Sequence, residues 1–90
     1  MKKTKEFLAR AGTLVAGDSE KDYGDKVHNH QNIAKLWSAY LDIEVRAHDV
    51  AIMMTLLKVA RTKLGAVSED TYIDMSAYSA IAGEIKFKEK

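Results

Sequence analysis

With 90 residues the chain is long enough for one hydrophobic core and too short for two domains. It has no cysteine, which excludes disulfide frameworks, thiolate nucleophiles and zinc sites built on sulfur, and no proline interrupts a composition that favours helices. Fourteen basic side chains against thirteen acidic ones leave no strong field to draw in nucleic acid or an anionic membrane, so specific nucleic-acid binding is not expected.

The N-terminus, Met1-Lys2-Lys3 followed by Phe7 to Gly17, has the outline of a secretory leader, but Glu6 and Arg10 break its apolar stretch. It reads instead as a helix of the mature protein over residues 4–16, with Phe7, Leu8, Ala11, Leu14 and Val15 in one apolar stripe and Gly17 as its stop. The polar run 17–24 then delivers Asp25 as an N-cap. A second helix is expected over 26–41, with Ile33, Trp37, Tyr40 and Leu41 inward, Asn32, Lys35 and Ser38 outward, and Trp37 anchoring the core.

After the short connection 42–46, Asp49 stands in the first turn of a third helix, where a carboxylate favours the positive end. That helix, over about 47–64, carries Val50, Ile52, Met53, Met54, Leu56, Leu57, Val59 and Ala60 around nearly its whole circumference. Such a helix is central and mostly buried, surrounded by other helices or by another subunit, so a homo-oligomer is expected. Met53 and Met54 fill the core or serve an adaptable partner surface. Gly65 ends the helix and Ser68 caps a fourth over about 69–86, in which Tyr72, Ile73, Met75, Tyr78, Ile81 and Ile85 keep helical spacing up to Gly83 and a lysine-rich tail. The fold class is therefore all-α, a bundle of about four helices. No segment approaches the roughly 20 apolar residues of a membrane span, and a location in the cytoplasm is expected.

One polar cluster stands out. Lys58 interrupts the apolar run of the third helix with Arg61 one turn later, while Asp70 and Asp74 share a face of the fourth. Antiparallel packing across a short loop brings the four together. They serve either as an ion-pair network locking the helix hairpin or as a site in which the cations hold phosphate oxygens and the acids position a divalent metal. His28 and His30 differ in direction by about 200° on a helix, which rules out joint chelation there; His30 is placed near a ligand or the helix cap. Asp22 and Asp25 contribute to a site or act as turn and cap residues.

The strings Lys21-Asp22-Tyr23-Gly24-Asp25, His30-Gln31-Asn32-Ile33-Ala34-Lys35-Leu36-Trp37-Ser38-Ala39-Tyr40-Leu41, Asp49-Val50-Ala51-Ile52-Met53-Met54, Leu57-Lys58-Val59-Ala60-Arg61 and Asp70-Thr71-Tyr72-Ile73-Asp74 resemble a widespread family of small phage and prophage proteins. That resemblance covers nearly the whole chain and implies a viral origin, without bringing a settled activity. The helical order and the acidic pair on the last helix are also distantly similar to the all-α nucleotide pyrophosphohydrolases of the MazG type. This second resemblance implies Mg²⁺-dependent cleavage of nucleoside triphosphates, with Asp70 and Asp74 as metal ligands. That family gathers Mg²⁺ with a Glu-x-x-Glu pair on one helix and a Glu-x-x-Asp pair on the next, whereas this chain has no acid between Lys26 and Leu41 and spaces Asp70 and Asp74 by four. Three readings follow: an accessory protein binding a nucleotide or other phosphorylated ligand, a pyrophosphohydrolase, and a non-enzymatic module that binds a host protein.

Overall fold

The computed structural model describes residues 3–16, 25–63 and 68–88, which form four α-helices and, among the described residues, no strand. They are α1 (Thr4–Ala16), α2 (Lys26–Leu41), α3 (Ala47–Arg61) and α4 (Glu69–Lys88). Asp22 and the stop residues Gly17 and Gly65 lie outside the described residues.

Local chemistry sets the ends of these helices. Asp25 is extended and its carboxylate accepts the Val27 N–H at 2.9 Å, satisfying a donor that the first turn of α2 leaves open. At the other end of α2, Asp42 adopts the left-handed conformation (φ 58°), which a short polar side chain tolerates better than most. The Asp49 carboxylate accepts the Arg46 N–H at 3.0 Å and so closes the start of α3. Ser68 accepts the Asp70 N–H at 3.1 Å on its side chain, the cap expected for the fourth helix. That helix, expected over about 69–86, runs two residues further to Lys88, with Gly83 exposed within it and Ile85 beyond it completely buried.

The hub of the bundle is α4, which packs against each of the other three helices, most extensively against α3. Ile73, Ala77, Ile81 and Ile85 recur every fourth residue, and such a row drifts around a helix by about 40° per step. The row therefore changes neighbours along its length. Ile73 and Ala77 pack with Ala11 and Phe7 of α1, and Ile81, Ala82 and Ile85 pack with Val27 of α2 and Ala47 and Ala51 of α3. Val15 touches both clusters.

The third helix differs from the expectation that it is mostly buried. It lies between α2 and α4, but its buried residues are Ala47, Val50 and Ala51, all in its first half. Ile52, Met53, Leu56, Leu57 and Val59 are exposed. The two helices packed on it, α2 and α4, cover only one side of α3, and among the described residues nothing meets the other side. The same holds on α2, where Tyr40 and Leu41 were expected inside and are exposed, Tyr40 at 89%. Trp37 is half-buried and Ala34, Val27 and His30 form the inward face instead. On α1, Leu8 and Leu14 are exposed although their stripe mates Phe7, Ala11 and Val15 are not. Ser38, expected outside, is partly buried: its hydroxyl donates to the Val45 carbonyl at 3.0 Å and accepts the Val45 N–H at 2.8 Å, which lashes the α2–α3 connection to α2.

Candidate functional site

The structure brings together one pair of the four-residue polar cluster. Lys58 Nζ lies 3.1 Å from Asp74 Oδ2, joining α3 to α4, and the two side chains are only 16% and 29% exposed. The ammonium is carried inward by the apolar stem of the lysine on the flank of α3 that faces α4, and the carboxylate meets it from the second turn of α4. Arg61 does not join them: it is exposed and has no ion pair among the described residues. Asp70 turns the other way, to Arg10 of α1 at 3.9 Å, with both side chains largely in solvent. The reason is the 4-residue step from Asp70 to Asp74, which rotates the second carboxylate by about 40° and is enough to give the two acids different neighbours on a helix flanked by α1 and α3.

Each carboxylate therefore has its own cation, and the described residues contain no group of three or more His, Asp or Glu side chains placed to hold a metal ion. Asp70 and Asp74 as found here do not fit a Mg²⁺ site, which asks for several hard oxygen ligands on one centre.

Asp25 is engaged as the cap of α2. His30, one turn later, is buried, and its Nδ1 is 2.8 Å from the Lys26 carbonyl oxygen, so Nδ1 carries the proton and donates. Its Nε2 is buried without a hydrogen-bond partner among the described residues, and the ring stands edge-on to Tyr78 at a centroid distance of 6.2 Å. His28 is exposed, so the two imidazoles do face apart on the helix.

Besides the exposed pair Arg46–Glu44 at 3.8 Å and the contact of His48 with Asp49 at 4.0 Å, two ion-pair groups that tie helices together have no counterpart in the sequence reading. Arg10–Asp70 links α1 to α4, and Glu84 sits between Lys26 of α2 at 3.8 Å and Lys88 at 2.8 Å. The hydrogen bond from Lys88 is the main reason the Glu84 carboxyl is held below its usual range; partial burial opposes it, and the charge of Lys26 assists. The i, i+4 spacing of Glu84 and Lys88 was a readable signal, whereas a bridge from Lys26 needs the tertiary fold.

Outside these pairs one surface is apolar. On the side of α3 turned away from α4, Ile52, Met53, Leu56, Leu57 and Val59 are all exposed, and no charged residue falls between Asp49 and Lys63 on that side. Separately, an open groove runs along α2 and the α2–α3 connection, lined by Ala34, Lys35, Ser38, Glu44, Val45 and Arg46 among others. Among the described residues no helix is long and apolar enough to cross a membrane.

A family model described as a domain of unknown function (DUF6378) matches residues 6–86, a span that includes α2 and α3 entire and nearly all of α1 and α4. The chain is 37% identical over 84 residues to the Gene 55 protein of Mycobacterium phage L5, covering 92% of this chain and 54% of that protein. It is 35% identical over 82 residues to the Gene 55 protein of Mycobacterium phage D29, covering 91% of this chain and 54% of that one. The chain thus spans about half the length of the curated relatives it matches. No solved structure matches it. The resemblance to phage proteins drawn from the sequence strings is supported by both relatives. On the extent of the family match, this chain belongs to the DUF6378 family.

Proposed function

We propose that this chain is a phage or prophage accessory protein that works in the host cytoplasm by association, holding another protein surface against the outer side of α3, and that it is not a catalyst. The observation that carries this reading is an inversion of size along α3. On its inner side the small Ala47 and Ala51 pack with Ile81, Ala82 and Ile85 of α4, while the larger Ile52, Met53, Leu56 and Leu57 are left exposed. Burying a large aliphatic side chain contributes roughly 1.5–3 kcal/mol. A monomer leaves that contribution unused, and a contiguous exposed apolar surface of this kind is the mark of an interaction site.

A second reading, a phosphorylated ligand held near Lys58, Arg61, Asp70 and Asp74, has one observation in its favour: an exposed Arg61 lies within a turn of Lys58. Against it, Lys58 is engaged by Asp74, so an incoming phosphate must displace a carboxylate from a mostly buried ammonium. Hydrolysis of nucleoside triphosphates rests on the distant MazG-type resemblance, and the acids it would use are paired with cations.

The test is a photo-crosslinking amino acid introduced at position 56 and, as a control, at the exposed position 86 of α4, in cells expressing the chain during phage growth. Position 56 should give a discrete adduct identifiable by mass, and position 86 none. Absence of any adduct at position 56, together with a rise in melting temperature on adding a nucleotide, would overturn the association reading in favour of the ligand site.

A further inference from the structure

We infer that the surface held by α3 is a second copy of the same helix, lying antiparallel to the first, with Leu56 of each chain on the two-fold axis. The inference rests on the association reading and names its partner.

The argument starts from the positions on the exposed side. At about 100° per residue, a step of seven returns to within about 20° of the same direction. Asp49, Leu56 and Lys63 are seven residues apart each way, so they follow one line along the exposed side. Ile52 and Val59 fall beside that line at three- and four-residue spacing, the 3–4 alternation by which helices interlock side chains. Lys63 lies two residues past the last helical position, where the turn is continued by bonds from Thr62 N–H to the Val59 carbonyl at 3.0 Å and from Lys63 N–H to the Ala60 carbonyl at 3.5 Å. The stripe is therefore apolar through its middle, acidic at its N-terminal end and basic at its C-terminal end.

Such a stripe is complementary to itself in one orientation only. In an antiparallel pair centred on Leu56, position 49 faces 63, position 52 faces 60 and position 53 faces 59, which sets Asp49 against Lys63 twice and large Ile52 against small Ala60 twice. A parallel pair in register sets Asp49 against Asp49 and Lys63 against Lys63, and like charges so placed are unfavourable. Two-fold pairing uses the same patch on both copies and closes on itself, so it ends at a dimer. Asp49 can serve this while capping α3: Oδ2 accepts the Arg46 N–H, Oδ1 lies 4.0 Å from His48 Nδ1, and the side chain is half in solvent, so the lysine of the second copy shares the carboxylate with these neighbours. One stripe about 20 Å long makes a modest interface, so the dimer should be of micromolar rather than nanomolar affinity.

Sedimentation equilibrium of the purified chain between about 1 and 500 µM should show the mass rising from 10.0 kDa toward twice that value. Leu56→Glu puts two carboxylates on the axis and should weaken the dimer by about a hundredfold, while the far-UV circular dichroism stays that of the native chain because Leu56 is 59% exposed. Lys63→Glu alone should weaken it about tenfold, and so should Asp49→Lys. Mixing the two variants should restore pairing, since each chain then presents opposite charges to the other at both ends. A dimer that ignores Leu56→Glu, or a mixture that pairs no better than either variant alone, overturns the antiparallel register. A purified chain that stays at 10.0 kDa throughout, while position 56 still crosslinks to a different protein in cells, overturns self-pairing and leaves the association reading standing. No adduct and no dimer removes both.

Discussion

The two sides of α3 contrast more sharply than any two helices in the molecule. The inner side is built from small residues, Ala47 and Ala51, that let α4 come close enough for Ile81 and Ile85 to be enclosed. The outer side carries the longer Leu56, Leu57 and Met53 and encloses nothing. Side-chain volume is thus placed where the described residues offer no partner, and close approach where they offer one. The comparison separates stability from association: substitutions on the inner side should change folding, and those on the outer side should change only what the chain sticks to. The largest expected effect removes what the inner side packs against on α4. Ile85→Ala removes a side chain with no solvent exposure and should cost about 2–5 kcal/mol, lowering the melting temperature of a chain this size by roughly 8 °C or more. Leu56→Ala, measured in the same way on dilute protein, should move it by well under half as much. Equal losses at the two positions would show that the outer side is packed in the monomer.

The contrast is sharpened at Lys58, the point where the inner side turns from apolar to charged. If the pair with Asp74 is a brace between α3 and α4, Lys58→Met should destabilise by about 1.5–3 kcal/mol, the range of a hydrogen bond to a charged group. That is less than the 3–5 kcal/mol typical of removing one member of a fully buried pair, because water still reaches part of Asp74. Adding Asp74→Leu should recover most of the loss, since an apolar pair leaves no charge unanswered. Thermal unfolding of the two single variants and the double variant supplies the coupling directly. A Lys58→Met chain as stable as the parent would mean the ammonium contributes nothing to the hairpin, and would return it to the phosphate-binding reading.

Much of the architecture was legible because it is local. Asp25 and Ser68 act as caps through their own backbone neighbours, and of the periodic set read for α4, Ile73, Ile81 and Ile85 are buried, Met75 and Tyr78 are half-buried and Tyr72 is exposed. Lys58 and Asp74 were legible as a pair because a short connection between antiparallel helices leaves few alternatives. Arg61 and Asp70 were not, since one turn of helix rotates a side chain toward a different neighbour, and nothing in the local pattern says that α1 lies on that flank. The exposed Tyr40, Leu41 and Leu56 were misjudged for a related reason. Hydrophobicity predicts that a residue is to be covered, without saying by which chain. The candidate site was accordingly the least legible part, because an exposed apolar surface has the composition of a core.

The smallest effect tests the opposite end of the bundle, where Glu84 joins α4 to α2 through Lys26 and accepts from Lys88 on its own helix. Its folded-state carboxyl titrates below the usual glutamate value of 4.5. The unfolded chain therefore takes up a proton at Glu84 at higher pH than the folded chain does. The stabilisation is complete above the unfolded value and is lost as pH falls from there through the lowered folded value. Glu84→Gln should make the melting temperature less dependent on pH over that acid window and leave it nearly unchanged across neutral pH, apart from a small uniform loss of the Lys26 and Lys88 attractions. The carboxylate is about one-third exposed and screened by solvent, so the change in slope should be modest and should shrink further in high salt. Lys88→Met removes the larger cause of the shift and leaves Lys26 in place, so it should reproduce most of the lost pH dependence. If instead Lys26→Met does so and Lys88→Met does not, then the tie between α4 and α2, and not the bond within α4, is what lowers the carboxyl.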